Sequence, residues 1–316
     1  MKVAVIGVGA IGGWLAARLA LGGHEVGVVR RSGGTQALGG GLRLIDGGHE
    51  QFASVRVIED PGKEGVQQLV LLATKTTDLA DAAGRAAPLI GSDTLILPLQ
   101  NGVPWWLAGG EPLRSVDPDG RIAAALPLGQ VIGGVVHAAC RRVAAAAVEV
   151  VHADRLILGE PGGGRSPGVE ALAQAVANAG VPAEASDNVR RAIWYKLWGN
   201  MTINPISATT GLTADRILAD PAHRAEIVAA MEEARTVGAA IGCPIEESAE
   251  ERVAVTARLG AFKTSMLQDV EAGRRIELDA LVGAVAEIGR RVGVGTPVID
   301  RIEARTRAFA GAHGLV

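Results

Sequence analysis

Short apolar runs alternate with helix-like patterns through the first half of the chain. Runs at residues 2–6, 25–30, 69–74 and 94–99 have the length and continuous hydrophobicity of buried strands. Helical spacing of apolar residues follows the first and third of these runs. This alternation is typical of βαβ units and predicts a doubly wound parallel sheet in an α/β domain.

Other apolar runs fall outside the parallel pattern. Residues 42–46 and 54–59, separated by a glycine pair, predict a hairpin-type insertion. Three further strands are predicted at 133–139, 148–153 and 155–160. A helical pattern at 169–178 and a strand-like run at 181–186 then complete the first domain.

After this point the spacing of apolar residues changes and predicts helices almost throughout. Ile227, Met231 and Ala234 keep helical spacing, as do Leu278 and Val285 with their apolar neighbours. We therefore predict an α/β domain over residues 1–187 and an all-α domain over residues 188–316.

Composition narrows the classes of function. The chain has 316 residues, is 48% hydrophobic and 21% charged, and carries a formal net charge of -3, with no basic cluster to attract nucleic acid or an anionic membrane. Its two cysteines, Cys140 and Cys243, lack partners at metal-ligand spacing, so we expect no metal. The near-neutral charge favours small-molecule chemistry, and the isolated cysteines fit a reducing cytoplasm. No signal-peptide pattern or membrane-length apolar run is evident.

A glycine motif stands at the first strand-helix junction. Gly7, Gly9 and Gly12 form a G-x-G-x-x-G pattern whose intervening residues include Ala10 and Ile11. The first glycine permits a tight turn, the second lets the backbone approach a pyrophosphate, and the third allows close packing of helix on strand. In this context the motif predicts dinucleotide binding.

The end of the second strand indicates which dinucleotide. A carboxylate there would hold a ribose 2′-hydroxyl, whereas a 2′-phosphate favours arginine. Here the strand runs into Arg30 and Arg31, so we predict NADP(H), with either arginine on the phosphate. Two solvated surface arginines are the alternative interpretation.

Ligands of a doubly wound sheet bind outside the carboxyl ends of its strands. Lys75 directly follows one predicted strand, and Gln100, Asn101 and Gly102 follow the next. These are candidate site residues, with ordinary surface positions as the alternative.

A predicted helix at 192–207 is apolar on nearly every side, yet it carries one polar stripe. Lys196, Asn200 and Asn204 stand at i, i+4 and i+8 and therefore share a face. Carbonyl reduction needs a proton donor, and a lysine whose pKa is lowered by burial is a candidate. Alternatively Lys196 extends to solvent while Asn200 and Asn204 cap local structure, with the helix ending at Asn204, before Pro205.

A second cluster of polar residues lies near the end of the chain. Ser265, Gln268 and Asp269 share a predicted helical turn, and Glu277 starts the next helical run. Sequence spacing alone leaves open whether Glu277 meets Lys196.

Four segments together resemble the ketopantoate reductases (2-dehydropantoate 2-reductases): GVGAIGG, QNG, WYKLWGNMTINPI and SMLQDVEAGRRIELDAL. Their order agrees with that family over essentially the whole chain. The resemblance implies a Rossmann-type domain followed by a helical domain like the C-terminal domain of 6-phosphogluconate dehydrogenase. It also implies reduction of 2-dehydropantoate to pantoate by NADPH, a step toward pantothenate and coenzyme A.

The resemblance further assigns roles to single residues. Lys196 matches the lysine that protonates the C2 oxygen, and Glu277 its acidic partner. Asn101 matches the asparagine near the nicotinamide and the lysine, and Lys75 the lysine after the neighbouring strand. The residues that match substrate-binding positions are Asn200, Asn204 and Ser265, which would place the polar stripe in a cleft between the domains.

The sequence departs from the family at Ala214, where many members carry another substrate-side asparagine. A reductase of a different 2-oxo acid or related carbonyl compound is therefore an open alternative, and a non-catalytic NADP(H)-binding redox sensor is a second. Trp105 and Trp106 either reshape the pocket mouth or pack on the surface. The apolar helical faces leave a homodimer open as well.

Overall fold

The structure of the protein is a computed structural model, which describes residues 1–29 and 40–316. It divides into two compact units. The first contains Met1–Gln100 and Arg121–Val189, and the second contains Asn101–Gly120 and Arg190–Val316. The sequence prediction placed residues 101–120 in the first domain, whereas the structure groups them with the helical unit.

The strands all lie in the first unit. In chain order they are β1 (Lys2–Ile6), β2 (Glu25–Val29), β3 (Gly41–Asp46), β4 (His49–Ser54), β5 (Arg56–Ile58), β6 (Leu69–Leu72), β7 (Leu95–Pro98), β8 (Gly133–Ala144), β9 (Ala147–Gly159) and β10 (Ala183–Ser186). The helices of this unit are α1 (Ala10–Leu21), α2 (Leu79–Ala86), α3 (Arg121–Ala125) and α4 (Pro167–Asn178).

The central sheet is parallel and has the order β5-β2-β1-β6-β7. The strands β1 and β6 are buried along almost their whole length, which explains their continuous hydrophobicity. Successive strands are added on one side of β1 and then on the other, so the order reverses between β1 and β6. This confirms the predicted doubly wound fold. Ligands of such a sheet bind outside the carboxyl ends of the two strands at which the order reverses, here β1 and β6.

A second sheet has the order β10-β9-β3-β4, and β8 also pairs with β9. A hairpin follows the predicted first strand, because β3 and β4 pair antiparallel. The predicted second strand at 54–59 is wrong, since residues 56–58 form β5 and pair parallel with β2 in the central sheet. The prediction of separate strands at 148–153 and 155–160 is wrong, since both belong to β9. His137 pairs with Arg155 and Ala138 with Ala153, so Asp154 is the extra residue of a bulge within one continuous strand.

The second unit is helical. Its helices are α5 (Val189–Thr210), α6 (Ala214–Ala219), α7 (Pro221–Ala240), α8 (Ala249–Ala257), α9 (Ser265–Glu271), α10 (Ala284–Val292) and α11 (Pro297–Ala312), and a π-helical turn at Asp279–Gly283 precedes α10. Among the described residues no helix is long and apolar enough to cross a membrane.

The helix α5 continues through Pro205 instead of ending before it. Proline removes one backbone hydrogen bond from a helix interior. Residues on both sides of it are nevertheless buried, including Met201 and Ile206 at 0% exposure. Burial of the helix therefore outweighs the local preference for a helix end.

Candidate cofactor and catalytic sites

The glycine loop lies at the end of β1, where the strand order reverses. Gly7 has φ +96°, and a Cβ there would lie 2.7 Å from the backbone carbon of Ala73. A Cβ on Gly12 would overlap the carbonyl oxygen of Gly7. Gly9, by contrast, has no heavy atom within 4 Å of the position that a Cβ would occupy. The loop thus combines two sterically required glycines with one that leaves open space beside α1.

The edge of the sheet next to this loop carries two of the predicted residues. Lys75 precedes the short helical turn Thr76–Asp78 and has extended backbone geometry. Gln100 donates from Nε2 to the carbonyl oxygens of Leu72 and Thr74, at 3.1 and 3.2 Å. Gln100 therefore fastens the end of β6, a structural role that the sequence did not indicate. The predicted phosphate-binding pair Arg30 and Arg31 lies outside the described residues.

The rotation of α5 is fixed by two buried tryptophans. The indole N–H of Trp194 donates to the carbonyl of Ala234 at 3.2 Å, and that of Trp198 donates to Met231 at 2.6 Å. Both acceptors lie on α7. Because a two-residue step turns a helix by about 200°, Lys196 projects away from the face that packs on α7.

Lys196 is placed where its positive charge is poorly solvated. Burial lowers the pKa of Lys196 to about 8 from an ordinary value of 10.5, and the negative charge of Glu277 opposes part of this shift. The two residues are 81 positions apart in the sequence but interact electrostatically in the fold. The structure therefore brings together the lysine and the glutamate that the resemblance assigned to catalysis.

Two residues that were predicted separately, Asn101 and Asn200, also come together in the helical unit. The amide nitrogen Nδ2 of Asn200 donates to Oδ1 of Asn101 at 3.1 Å. The loop that carries Asn101 is held by the next residues: the N–H of Val103 donates to the carbonyl of Ala280 at 2.8 Å, and Gly102 has φ +104° against that same carbonyl. A side chain on Gly102 would separate the two backbones.

Ala280 belongs to the π-helical turn, which directly follows Glu277 and Leu278. The carbonyl of Glu277 accepts from the N–H of Leu281 at 3.1 Å, so Glu277 is fixed at the start of this helical segment. π-Helical turns are rare and occur frequently at functional sites. The turn was not predicted, because its apolar spacing is close to that of an ordinary helix.

Residues 101–120 are also fastened to α10. The carboxylate of Glu287 accepts from the backbone N–H groups of Arg114 and Ser115, at 3.0 and 2.8 Å. Arg291 donates to the carbonyls of Glu111 and Pro112, at 2.7 and 2.8 Å. These contacts explain why a segment that follows β7 in the chain belongs structurally to the helical unit.

The remaining predicted residues differ in environment. Asn204 is buried, at 4% exposure, whereas Ser265 is exposed at the start of α9 and makes no side-chain hydrogen bond to another described residue. Trp105 and Trp106 are both buried, so the expectation of surface packing is wrong for them.

Nothing among the described residues suggests metal or thiol chemistry. Their His, Cys, Asp and Glu side chains form no group that could hold a metal ion. Burial raises the pKa of the Cys140 thiol to about 12, so its reactive thiolate is disfavoured.

Comparison with known proteins gives two family matches that together span most of the chain. Residues 3–163 match the model described as ketopantoate reductase PanE/ApbA, and residues 188–310 match its C-terminal model. The chain belongs to the ketopantoate reductase family. The resemblance inferred from the sequence motifs is thereby confirmed.

Relatives within the ketopantoate reductase family match over the full length. The chain is 42% identical to a 2-dehydropantoate 2-reductase of Mesorhizobium japonicum, covering 99% of each sequence. A solved structure from Ralstonia solanacearum, provisionally named a ketopantoate reductase, is 46% identical, has a TM-score of 0.94 and is matched over 100% of this chain and 99% of its own. The 2-dehydropantoate 2-reductase of Methylococcus capsulatus is 31% identical, with a TM-score of 0.86 and coverage of 99% and 98%.

Proposed function

We propose that this protein reduces 2-dehydropantoate to pantoate with NADPH and that Lys196 is the general acid. The observation that carries the proposal is the partly buried Lys196, whose pKa is lowered to about 8 and which interacts with Glu277. An acid with a pKa near the working pH is both protonated and able to transfer its proton. The full-length likeness to a 2-dehydropantoate 2-reductase supports the choice of substrate.

The glycine loop fits a dinucleotide. Space is open beside Gly9, while Gly7 and Gly12 are required by close backbone packing. The backbone of Ala10 and Ile11 starts α1 and would face the pyrophosphate with the positive end of the helix. The other residues that would hold NADP(H) are Arg30, Arg31, Lys75 and Asn101.

NADPH would supply the hydride to C2 of the substrate. The Lys196 ammonium would donate its proton to the C2 oxygen, so that no alkoxide accumulates in a poorly solvated site. Glu277 would keep this lysine protonated at neutral pH by opposing the effect of burial. Asn101, held by Asn200, would position the reacting groups, and Asn200, Asn204 and Ser265 would bind the substrate's hydroxyl and carboxylate.

The first test is the initial rate of NADPH oxidation with 2-dehydropantoate, measured for the native protein and for Lys196→Ala. We expect turnover to fall by about 10² to 10⁴ in the variant, because a positioned general acid contributes a factor of that size. NADH in place of NADPH tests the assignment of Arg30 and Arg31. Reduction of other 2-oxo acids but not of 2-dehydropantoate would reject the substrate, and nucleotide binding without any turnover would indicate a sensor.

The pH dependence of kcat tests the role of the lysine separately. A general acid acts only when protonated, so kcat should fall as the pH rises through about 8. Because Glu277 raises the pKa of Lys196, Glu277→Gln should move this fall to lower pH. An unchanged alkaline limb in Glu277→Gln would show that the limb does not belong to Lys196.

A further inference from the structure

The helical unit contains a cavity of about 180 Å³ beside the polar stripe of α5. Gly199, Asn200 and Asn204 line it from α5, and Arg252 lines it from α8. Most of its other walls are apolar, as at Met231. Asn200 also bonds to Asn101, so the cavity adjoins the residues assigned to the substrate.

Arg252 is held against α5 by two features of that helix. Its guanidinium carbon lies 4.9 Å from the centre of the Tyr195 ring, within the range of a cation-π interaction. Its Nη2 lies 3.2 Å from the position that a Cβ on Gly199 would occupy. The phenol of Tyr195 is fixed in turn, since it donates to Glu247 at 2.6 Å. The guanidinium thus has a defined place on the helix that carries Lys196.

This guanidinium lacks an anionic partner. Within residues 1–29 and 40–316, Arg252 forms no ion pair, and its buried Nε makes no hydrogen bond. Other arginines of the helical unit are paired, for example Arg224 with Glu250 and Arg305 with Glu226. The buried Nε of this partly exposed arginine has no hydrogen-bond acceptor, and an anion entering the cavity would supply one. A planar guanidinium is particularly suited to a carboxylate.

We propose that Arg252 makes this cavity the carboxylate-binding part of the substrate site. The inference rests on the proposed function, because the carboxylate is that of the 2-oxo acid. The cavity would hold the acid group against Arg252 and Asn204 while the apolar walls contact the carbon chain. Arg252 is then a specificity-determining residue, which selects the acid over an uncharged carbonyl compound of similar shape.

The test compares 2-dehydropantoate with its uncharged lactone as substrates for the native protein, Arg252→Met and Arg252→Lys. We expect Arg252→Met to raise KM for the acid by about 10- to 100-fold, the size of a lost charge-assisted hydrogen bond. KM for the lactone should stay within about twofold, and Arg252→Lys should restore part of the effect for the acid. Equal changes for both substrates, or none, would overturn the inference and leave Arg252 a packing residue.

Arg258 provides a matched control. It follows the last residue of α8, is exposed, and does not line the cavity. Arg258→Met removes the same charge and should leave both KM values unchanged. Thermal unfolding of the variants verifies that each one is folded.

A binding measurement separates this inference from the proposed function. Calorimetric titration of pantoate into the protein with NADP⁺ requires no turnover. Weaker binding to Arg252→Met but not to Arg258→Met supports the carboxylate site even where the native protein reduces neither substrate, a result that would reject only the function. Equal affinity for the two variants overturns the carboxylate site.

Discussion

The glycine loop of the first unit and the polar stripe of the second are built on opposite principles. The loop depends on missing side chains: Gly7 and Gly12 lie where a Cβ would collide with backbone. The stripe depends on side chains that are present and unfavourably placed, since Lys196 has its charge in surroundings that lower its pKa to about 8. One region is shaped by sterics and the other by electrostatics.

The difference determines which substitutions each region tolerates. In the loop, adding a single methyl group can disrupt the fold itself. In the stripe, removing a charge can leave the stability of the fold unchanged or increase it while catalytic activity is lost. Such a trade-off between stability and activity is common at functional sites. Stability and activity should therefore fall together at Gly7 and Gly12 and change in opposite directions at Lys196.

The largest expected effect on stability is that of Gly12→Ala. Its Cβ would overlap the carbonyl oxygen of Gly7, and backbone atoms on both sides cannot yield without moving α1 from β1. We expect a loss of about 3 kcal/mol in the free energy of unfolding, as for an overpacked core. Denaturant unfolding of the nucleotide-free protein measures it.

Gly9→Ala is the matched control in the same loop. Open space surrounds its Cβ position and its φ is -79°, so the free energy of unfolding should change by less than about 1 kcal/mol. The new methyl group occupies space assigned to the pyrophosphate, so nucleotide affinity should fall. A stability loss equal to that of Gly12→Ala would show that the loop does not distinguish its glycines by steric contact.

In the stripe, Lys196→Met should raise stability. Burial disfavours the ammonium, and the shift from 10.5 to about 8, which already includes the attraction of Glu277, corresponds to about 3 kcal/mol. We expect a gain of about 1–3 kcal/mol at pH 7, measured by denaturant unfolding. Loss of stability in this variant would contradict the assignment of an electrostatic penalty to Lys196.

The same prediction has a defined pH dependence. Between about pH 8 and 10.5 the unfolded chain binds more protons at Lys196 than the folded protein does, so native stability rises with pH across this window. The advantage of Lys196→Met is therefore complete below pH 8 and disappears toward pH 10.5. A difference that is independent of pH would assign the gain to packing instead.

The two regions also differ in how much of their structure can be predicted from the sequence. The glycine motif is local, because its six consecutive residues, Gly7 to Gly12, run from the end of β1 into the first turn of α1. The stripe was visible as a helical period, but its partners were not: Glu277 and Asn101 reach it only through tertiary packing. Physical patterns gave the fold and the candidate lysine, while its pairing with Glu277 came from family resemblance.

Other features lacked a local signal altogether. Asp154 forms a bulge only because β8 pairs on both sides of it, so the sequence suggested two strands. Residues 101–120 follow a strand of the first unit, yet Glu287 and Arg291 fasten them to the second. Arg252 stands in an unremarkable helical run, and only the fold places it over Tyr195 beside a cavity.

The smallest expected effect on stability is that of the hydrogen bond between Asn200 and Asn101. It separates the contribution of neutral side chains in the stripe from that of the charged Lys196. Unlike Lys196, these amides are neutral, and their bond spans 99 positions of sequence to fix the loop after β7. A double-mutant cycle with Asn101→Ala and Asn200→Ala should give a coupling of about 1 kcal/mol in the free energy of unfolding. Asn204→Ala, on the same stripe, serves as the control and should show no coupling to Asn101→Ala. Coupling close to zero for Asn200 as well would mean that Asn101 is held by Gly102 and Val103 alone, and that Asn200 is free to serve only the substrate.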